Sequence, residues 1–177
     1  MSGIPLKFAM IAATALFFLG TIAINEFLFA RLEFAHGISW IYLPAGVRLL
    51  CILLFAEAGA IGILFASWLV CFLYFFPDDA IRSFAGGILA ALAPYLTYRW
   101  LVAGQLTPSL AGLGPWRLLG CALAFSIASP LLHHVWFALQ GQREGLVDGF
   151  FVMASGDLIG TLIVLYTAKS LISLRRQ

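Results

Sequence analysis

Apolar residues run along this chain in long blocks rather than in alternation. Six blocks approach the roughly 20 residues that a helix needs to cross about 30 Å of hydrocarbon. They cover residues 6–29, 38–56, 59–76, 83–102, 116–139 and 147–172. None shows the period of two that a barrel strand carries into lipid. Hydrocarbon holds no water to pair with backbone N–H and C=O groups, so blocks of this kind must be helical. The pattern predicts an all-α polytopic membrane protein, a bundle of about six transmembrane helices forming one integral membrane domain over residues 1–177. The first block follows Lys7, as a signal peptide's apolar core follows its basic start. It is too long for such a core, and no small-x-small cleavage site closes it before Asn25 and Glu26, so it reads as an uncleaved span.

The breaks between blocks read as turns. Residues 31–37 are polar and end in Gly37. Glu57 and Gly59 allow only a tight link. Pro77-Asp78-Asp79 is a stop followed by a helix cap, since the Asp79 carboxylate can accept from the free N–H groups of the next first turn. The longest link, 103–115, holds two Pro and three Gly, and residues 141–145 close the last hairpin. None of these links has room for a folded soluble domain, so an output or catalytic domain is expected on another chain.

Composition narrows the class further. Charged residues are 10% of the chain and hydrophobic ones 63%, whereas a soluble domain carries roughly 25% charge. The formal net charge of +2 is too small and too scattered for a nucleic-acid surface. Basic residues set the orientation of membrane chains. If the N-terminus is inside, Lys7, Arg99, Arg117, Lys169, Arg175 and Arg176 lie on that side, against Arg31, Arg82 and Arg143 on the other. Both termini are therefore expected in the cytoplasm. Cys51, Cys71 and Cys121 fall inside spans without metal-ligand spacing and read as small apolar fillers.

Two charges fall deep in the hydrocarbon. Arg48 is near the middle of the second block and Asp157 near the middle of the sixth. Each alone costs a few kcal/mol or more at that depth. Matched depth predicts an ion pair facing the interior, with the guanidinium able to fork onto the carboxylate. Such a pair either clamps the packing or offers Arg48 to an anionic ligand. Asn25, Glu26, Trp40, Tyr42, His133 and His134 lie towards one end of their spans and are expected to share a polar cavity there. Adjacent histidines point about 100° apart on a helix, so one metal is poorly served by both, and no metal centre or cofactor is assigned. Pro130 marks an expected kink. Gly156 and Gly160 form a G-xxx-G seam for close helix approach, and Gly62 with Ala66 a similar one. No nucleophile elbow, zinc-protease helix, phosphate loop or paired-cysteine motif is present, so no catalytic residue is assigned and an enzyme is not expected.

Two segments resemble a known family. Pro44 and Gly46, in Trp40-Ile41-Tyr42-Leu43-Pro44-Ala45-Gly46-Val47-Arg48, match a P-x-G hairpin. Gly156, Asp157 and Gly160, in Ser155-Gly156-Asp157-Leu158-Ile159-Gly160, match a G-D-x-x-G segment. Together they resemble the bacterial membrane-associated sensor domain of the first type. Members usually carry about eight spans with Trp directly before the proline, where this chain has six blocks and Leu43, and Arg48 stands at a normally apolar position. The resemblance implies a multi-pass sensory module of the bacterial inner (plasma) membrane, set in the lipid bilayer and acting through a protein partner. Pro44 and Gly46 are an expected flexible point within it, because proline frees a backbone carbonyl there. Two other readings fit the same pattern: an accessory subunit of a larger membrane complex, and a component of a small-solute transporter.

Overall fold

A computed structural model describes residues 3–35, 37–104, 113–142 and 144–174. Most of the Pro- and Gly-rich link 103–115 lies outside these residues, as do Arg143, Arg175 and Arg176 of the charge count. The described residues form six helices: α1 (Gly3–Phe29), α2 (Leu43–Phe55), α3 (Glu57–Val70), α4 (Ala80–Ala103), α5 (Pro115–Leu139) and α6 (Leu146–Leu174). A π-helical turn, Cys71–Phe75, continues α3. Five of the helices, counting α3 with its π turn, are long and apolar enough to cross a membrane. Large apolar side chains such as Phe8, Leu16, Phe27, Leu73, Ile81 and Phe151 are exposed along them. Water does not tolerate such faces over a whole molecule, whereas lipid does. The fold is an all-α multi-pass membrane bundle.

The second block departs from the single helix predicted over 38–56. Its first residues are extended: β2 (Ile38–Ser39) pairs antiparallel with β1 (Glu33–Ala35). Residues 40–42 stay non-helical, and α2 begins only at Leu43. Its 13 residues span about 20 Å, well short of the hydrocarbon thickness. Pro44 explains the boundary. A helix running back through it would lose a hydrogen bond and clash with the Trp40 carbonyl, but a proline in the first turn costs nothing. Two partners satisfy the backbone that the strand-to-helix change frees. Tyr42 N–H donates to the Gly156 carbonyl at 3.2 Å, and Leu43 N–H donates to Asn25 Oδ1 at 2.9 Å. Pro44 thus starts a helix instead of bending one.

Small residues set the packing. A Cβ on Gly156 would lie 2.0 Å from the Ser39 carbonyl oxygen, and one on Gly160 would lie 2.0 Å from that of Tyr42. The G-xxx-G seam of α6 therefore receives the extended entry to α2. Gly46 completes it, facing Val164 and the Gly160 carbonyl. Gly62 lets α3 reach the α1 backbone at Ile11. Only Ala56, at φ 51°, separates α2 from α3, and Gly59 admits the Cys51 carbonyl at that turn. At the start of α4, Asp79 Oδ1 accepts from Arg82 N–H at 2.9 Å, the expected cap.

The five long helices follow one another around the bundle as α1, α3, α4, α5 and α6, and α2 fills the middle against α1, α3, α4 and α6. Every α2 residue from 44 to 53 is buried. One apolar cluster joins Leu49 and Leu53 to Leu118, Phe125 and Leu165. The other joins Val47 to Phe18, Ile63 and Val70. The β1–β2 pair, residues 76–79 and residues 140–142 share one end of the bundle, called the hairpin end below.

Candidate ligand cavity

Arg48 stands in the second turn of the buried helix and cannot reach water outside the bundle. Its Nη2 is 3.5 Å from Asp157 Oδ1, with side chains 3% and 1% exposed. The two meet through one nitrogen rather than through the forked pair expected from the sequence. Nε and Nη2 of Arg48 and both carboxylate oxygens of Asp157 have no hydrogen-bond partner among the described residues. The guanidinium lies between two rings, 5.7 Å from the Tyr42 centroid and 5.5 Å from that of Phe125. Ring faces attract a cation, but they leave its N–H donors unused.

Arg48 also lines a cavity of about 90 Å³ that reaches it from the hairpin end. One water needs roughly 10–15 Å³ measured this way, so the space suits several waters or a small ligand group. Tyr42, Arg48, Ser67, Arg82 and His133 supply its polar lining, and Phe18, Phe75, Phe76 and Phe137 supply aromatic walls. No carboxylate lines it among the described residues. Ser67 Oγ is buried without a partner there. Two guanidiniums facing an apolar, low-dielectric space favour a negative charge between them.

Arg82 was not singled out from the sequence, where it stands one residue before the predicted fourth span. The structure starts α4 at Ala80, so Arg82 falls in its first turn and turns inward. Its guanidinium carbon lies 4.0 Å from the Phe76 centroid and 5.5 Å from that of Phe137, and its Nε has no hydrogen-bond partner among the described residues. The cap at Asp79 was the available signal: a helix beginning there places Arg82 within the apolar run. Ser67 carried no such signal.

The polar cluster expected from the sequence is only partly assembled. Tyr42, Arg48 and His133 line the cavity together. His133 Nδ1 is 2.8 Å from the Ser129 carbonyl. His134 turns towards α6, with Nδ1 2.8 Å from the Pro130 carbonyl and its ring against Phe150. The two histidines diverge as successive helical residues must. Glu26 lies outside the cavity lining, with Oε2 accepting from Tyr74 O–H at 3.3 Å. Asn25 is spent on the start of α2. Trp40 is exposed and Asp157 sits behind Arg48, so neither lines the space. Pro130 is buried within α5. Among the described residues, no three His, Cys, Asp or Glu side chains converge as metal ligands would.

Comparison with protein-family models, with characterised proteins and with solved structures finds no match to this chain.

Proposed function

We propose that this protein is a membrane-embedded sensory module that binds a small anionic ligand and has no catalytic output of its own. One observation carries the reading: a cavity walled by aromatic rings is lined by two arginines, Arg48 and Arg82, and by no carboxylate among the described residues. Buried cations in a membrane are costly and mark functional sites by default. The resemblance of Pro44, Gly46, Gly156, Asp157 and Gly160 to the membrane-associated sensor pattern agrees with it.

The arrangement supplies a route from occupancy to packing. Arg48 touches both the cavity and Asp157, and Gly46 lies against Gly160 on the same two helices. An anion that draws the guanidinium towards the cavity weakens its hold on α6. The ligand then shifts the α2–α6 seam by its differential affinity for the two arrangements, and a protein partner reads the shift. The excess of basic residues at the end holding Lys7, Arg99, Arg117 and Lys169 supports a reading with both termini in the cytoplasm of a bacterial inner membrane and the cavity opening outward. A second reading rests on the same ion pair: a structural subunit in which Arg48 and Asp157 only clamp α2 to α6.

Purification from native membranes in gentle detergent, with mass spectrometry of proteins and small molecules, separates the two. An acidic small molecule that is lost from Arg82→Gln supports binding. A stoichiometric protein partner with no small molecule supports the clamp and removes the ligand.

A further inference from the structure

We infer that the ligand is an anionic amphiphile that reaches the cavity from the bilayer, between α4 and α5, with its head at Arg82 and Arg48 and its chain along α4. The inference rests on the reading of the cavity as an anion site. It adds the class of the ligand and its route.

Three spaces meet at Trp136. The first is the cationic cavity, and the second is a polar vestibule at the hairpin end lined by Asp79, Arg82, Gln140 and Gln142. The third is an apolar groove on the outer face of α4, lined by Ile81, Phe84, Ala85 and Ile88, with Trp136 closing its α5 side. Leu89 belongs to both the groove and the cavity, so the partition between them is one residue deep at Leu89 and Trp136. The α4 wall is also thin, because Ala85 lines the groove and its neighbour Gly86 lines the cavity.

Polarity separates the two entrances. The vestibule sets the Asp79 carboxylate beside the Arg82 guanidinium and two side-chain amides, a lining that offers an alkyl chain little apolar contact. The groove is lined by no charged residue and lies on the apolar outer face of α4, the face that a bilayer would cover with acyl chains. An anionic head passing Trp136 meets Arg82 first, whose side chain borders both vestibule and cavity. Deeper in lie Arg48 and Ser67, which also line the cavity. A guanidinium fork suits carboxylate and phosphate alike, so the shared chemistry is one anionic head on one acyl chain.

The test uses the full chain in nanodiscs of phosphatidylcholine, with radiolabelled dodecanoate as probe and empty discs as blank. Saturable binding of one dodecanoate per chain is expected. Butyrate should compete at least about tenfold more weakly, having lost the chain's apolar contact, and dodecanol should not compete. Dodecyl phosphate competing as well as dodecanoate assigns a phosphate-headed lipid as a source; failing to compete assigns a fatty carboxylate. Either result supports the amphiphile. Ile88→Trp fills the groove from its lipid side, without touching the core, and should weaken dodecanoate but spare butyrate. Arg82→Gln should weaken both by about tenfold, the loss of a charge-assisted hydrogen bond. Butyrate matching dodecanoate, or Ile88→Trp without effect, overturns the amphiphile and leaves the anion site standing. No saturable binding of either carboxylate overturns both.

Discussion

Gly160 faces the carbonyl of Tyr42 so closely that an added methyl would lie 2.0 Å from its oxygen. The obstacle is backbone on both sides, so neither partner can rotate away. Gly160→Ala and Gly156→Ala should each destabilise the protein by about 1–3 kcal/mol or more, the usual cost of overpacking. Gly20 and Gly120 have nothing within 4 Å of a new Cβ. Gly20→Ala and Gly120→Ala should be neutral or raise stability by up to about 1 kcal/mol through helix propensity. Thermal unfolding in detergent, followed by size-exclusion chromatography, checks all four. Equal melting temperatures across the set would remove the seam from the argument.

The Arg48–Asp157 contact predicts a non-additive pair. Arg48→Met or Asp157→Leu alone leaves one unpaired buried charge and should cost about 3–5 kcal/mol. The double substitution removes both charges and should recover most of that loss. Chemical unfolding of the two single variants and the double variant closes the cycle. If both single variants match the wild type, the contact at 3.5 Å carries no energy.

Asn25 holds the start of α2 from a different helix. Its Oδ1 accepts from Leu43 N–H at 2.9 Å, with Asn25 itself buried. Asn25→Ala leaves that N–H without a partner in an apolar interior and should cost about 1–3 kcal/mol. Hydrogen exchange at Leu43 and Ala45 should quicken, while exchange in α5 stays unchanged. Uniform change across both helices would mean a general loss of packing, not the loss of a cap.

These three predictions also mark what could be read along the chain and what could not. Helices α1, α3, α4, α5 and α6 are legible because lipid leaves an apolar block no other structure. The break inside residues 38–56 is less so, since the extended entry and the helix are equally apolar. Pro44 was the local sign, but the acceptor that stabilises the break is Asn25, 18 residues earlier. Arg48 and Asp157 stand out because charge in hydrocarbon is costly wherever it points. Joining Glu26 and His134 to one cavity needed the rotation of each helix about its axis. That rotation is set by glycine seams at Gly62 and Gly156, and span boundaries do not contain it.

Orientation gives the last prediction. With both termini in the cytoplasm, as proposed from the basic residues, the hairpin end faces outside the cell and the Arg99 end inside. The chain's own thiols leave a clean background, because Cys51, Cys71 and Cys121 are all buried. Gln140, at the hairpin end, and Arg99, near the far end of α4, are both exposed. Gln140→Cys should therefore react with a membrane-impermeant maleimide on intact spheroplasts. Arg99→Cys should react only after the membrane is opened. The reverse pattern would turn the bundle over, so that the cavity faces the cytoplasm. A ligand entering through the vestibule would then come from inside the cell, whereas one entering from the bilayer past Trp136 would keep its route in either orientation.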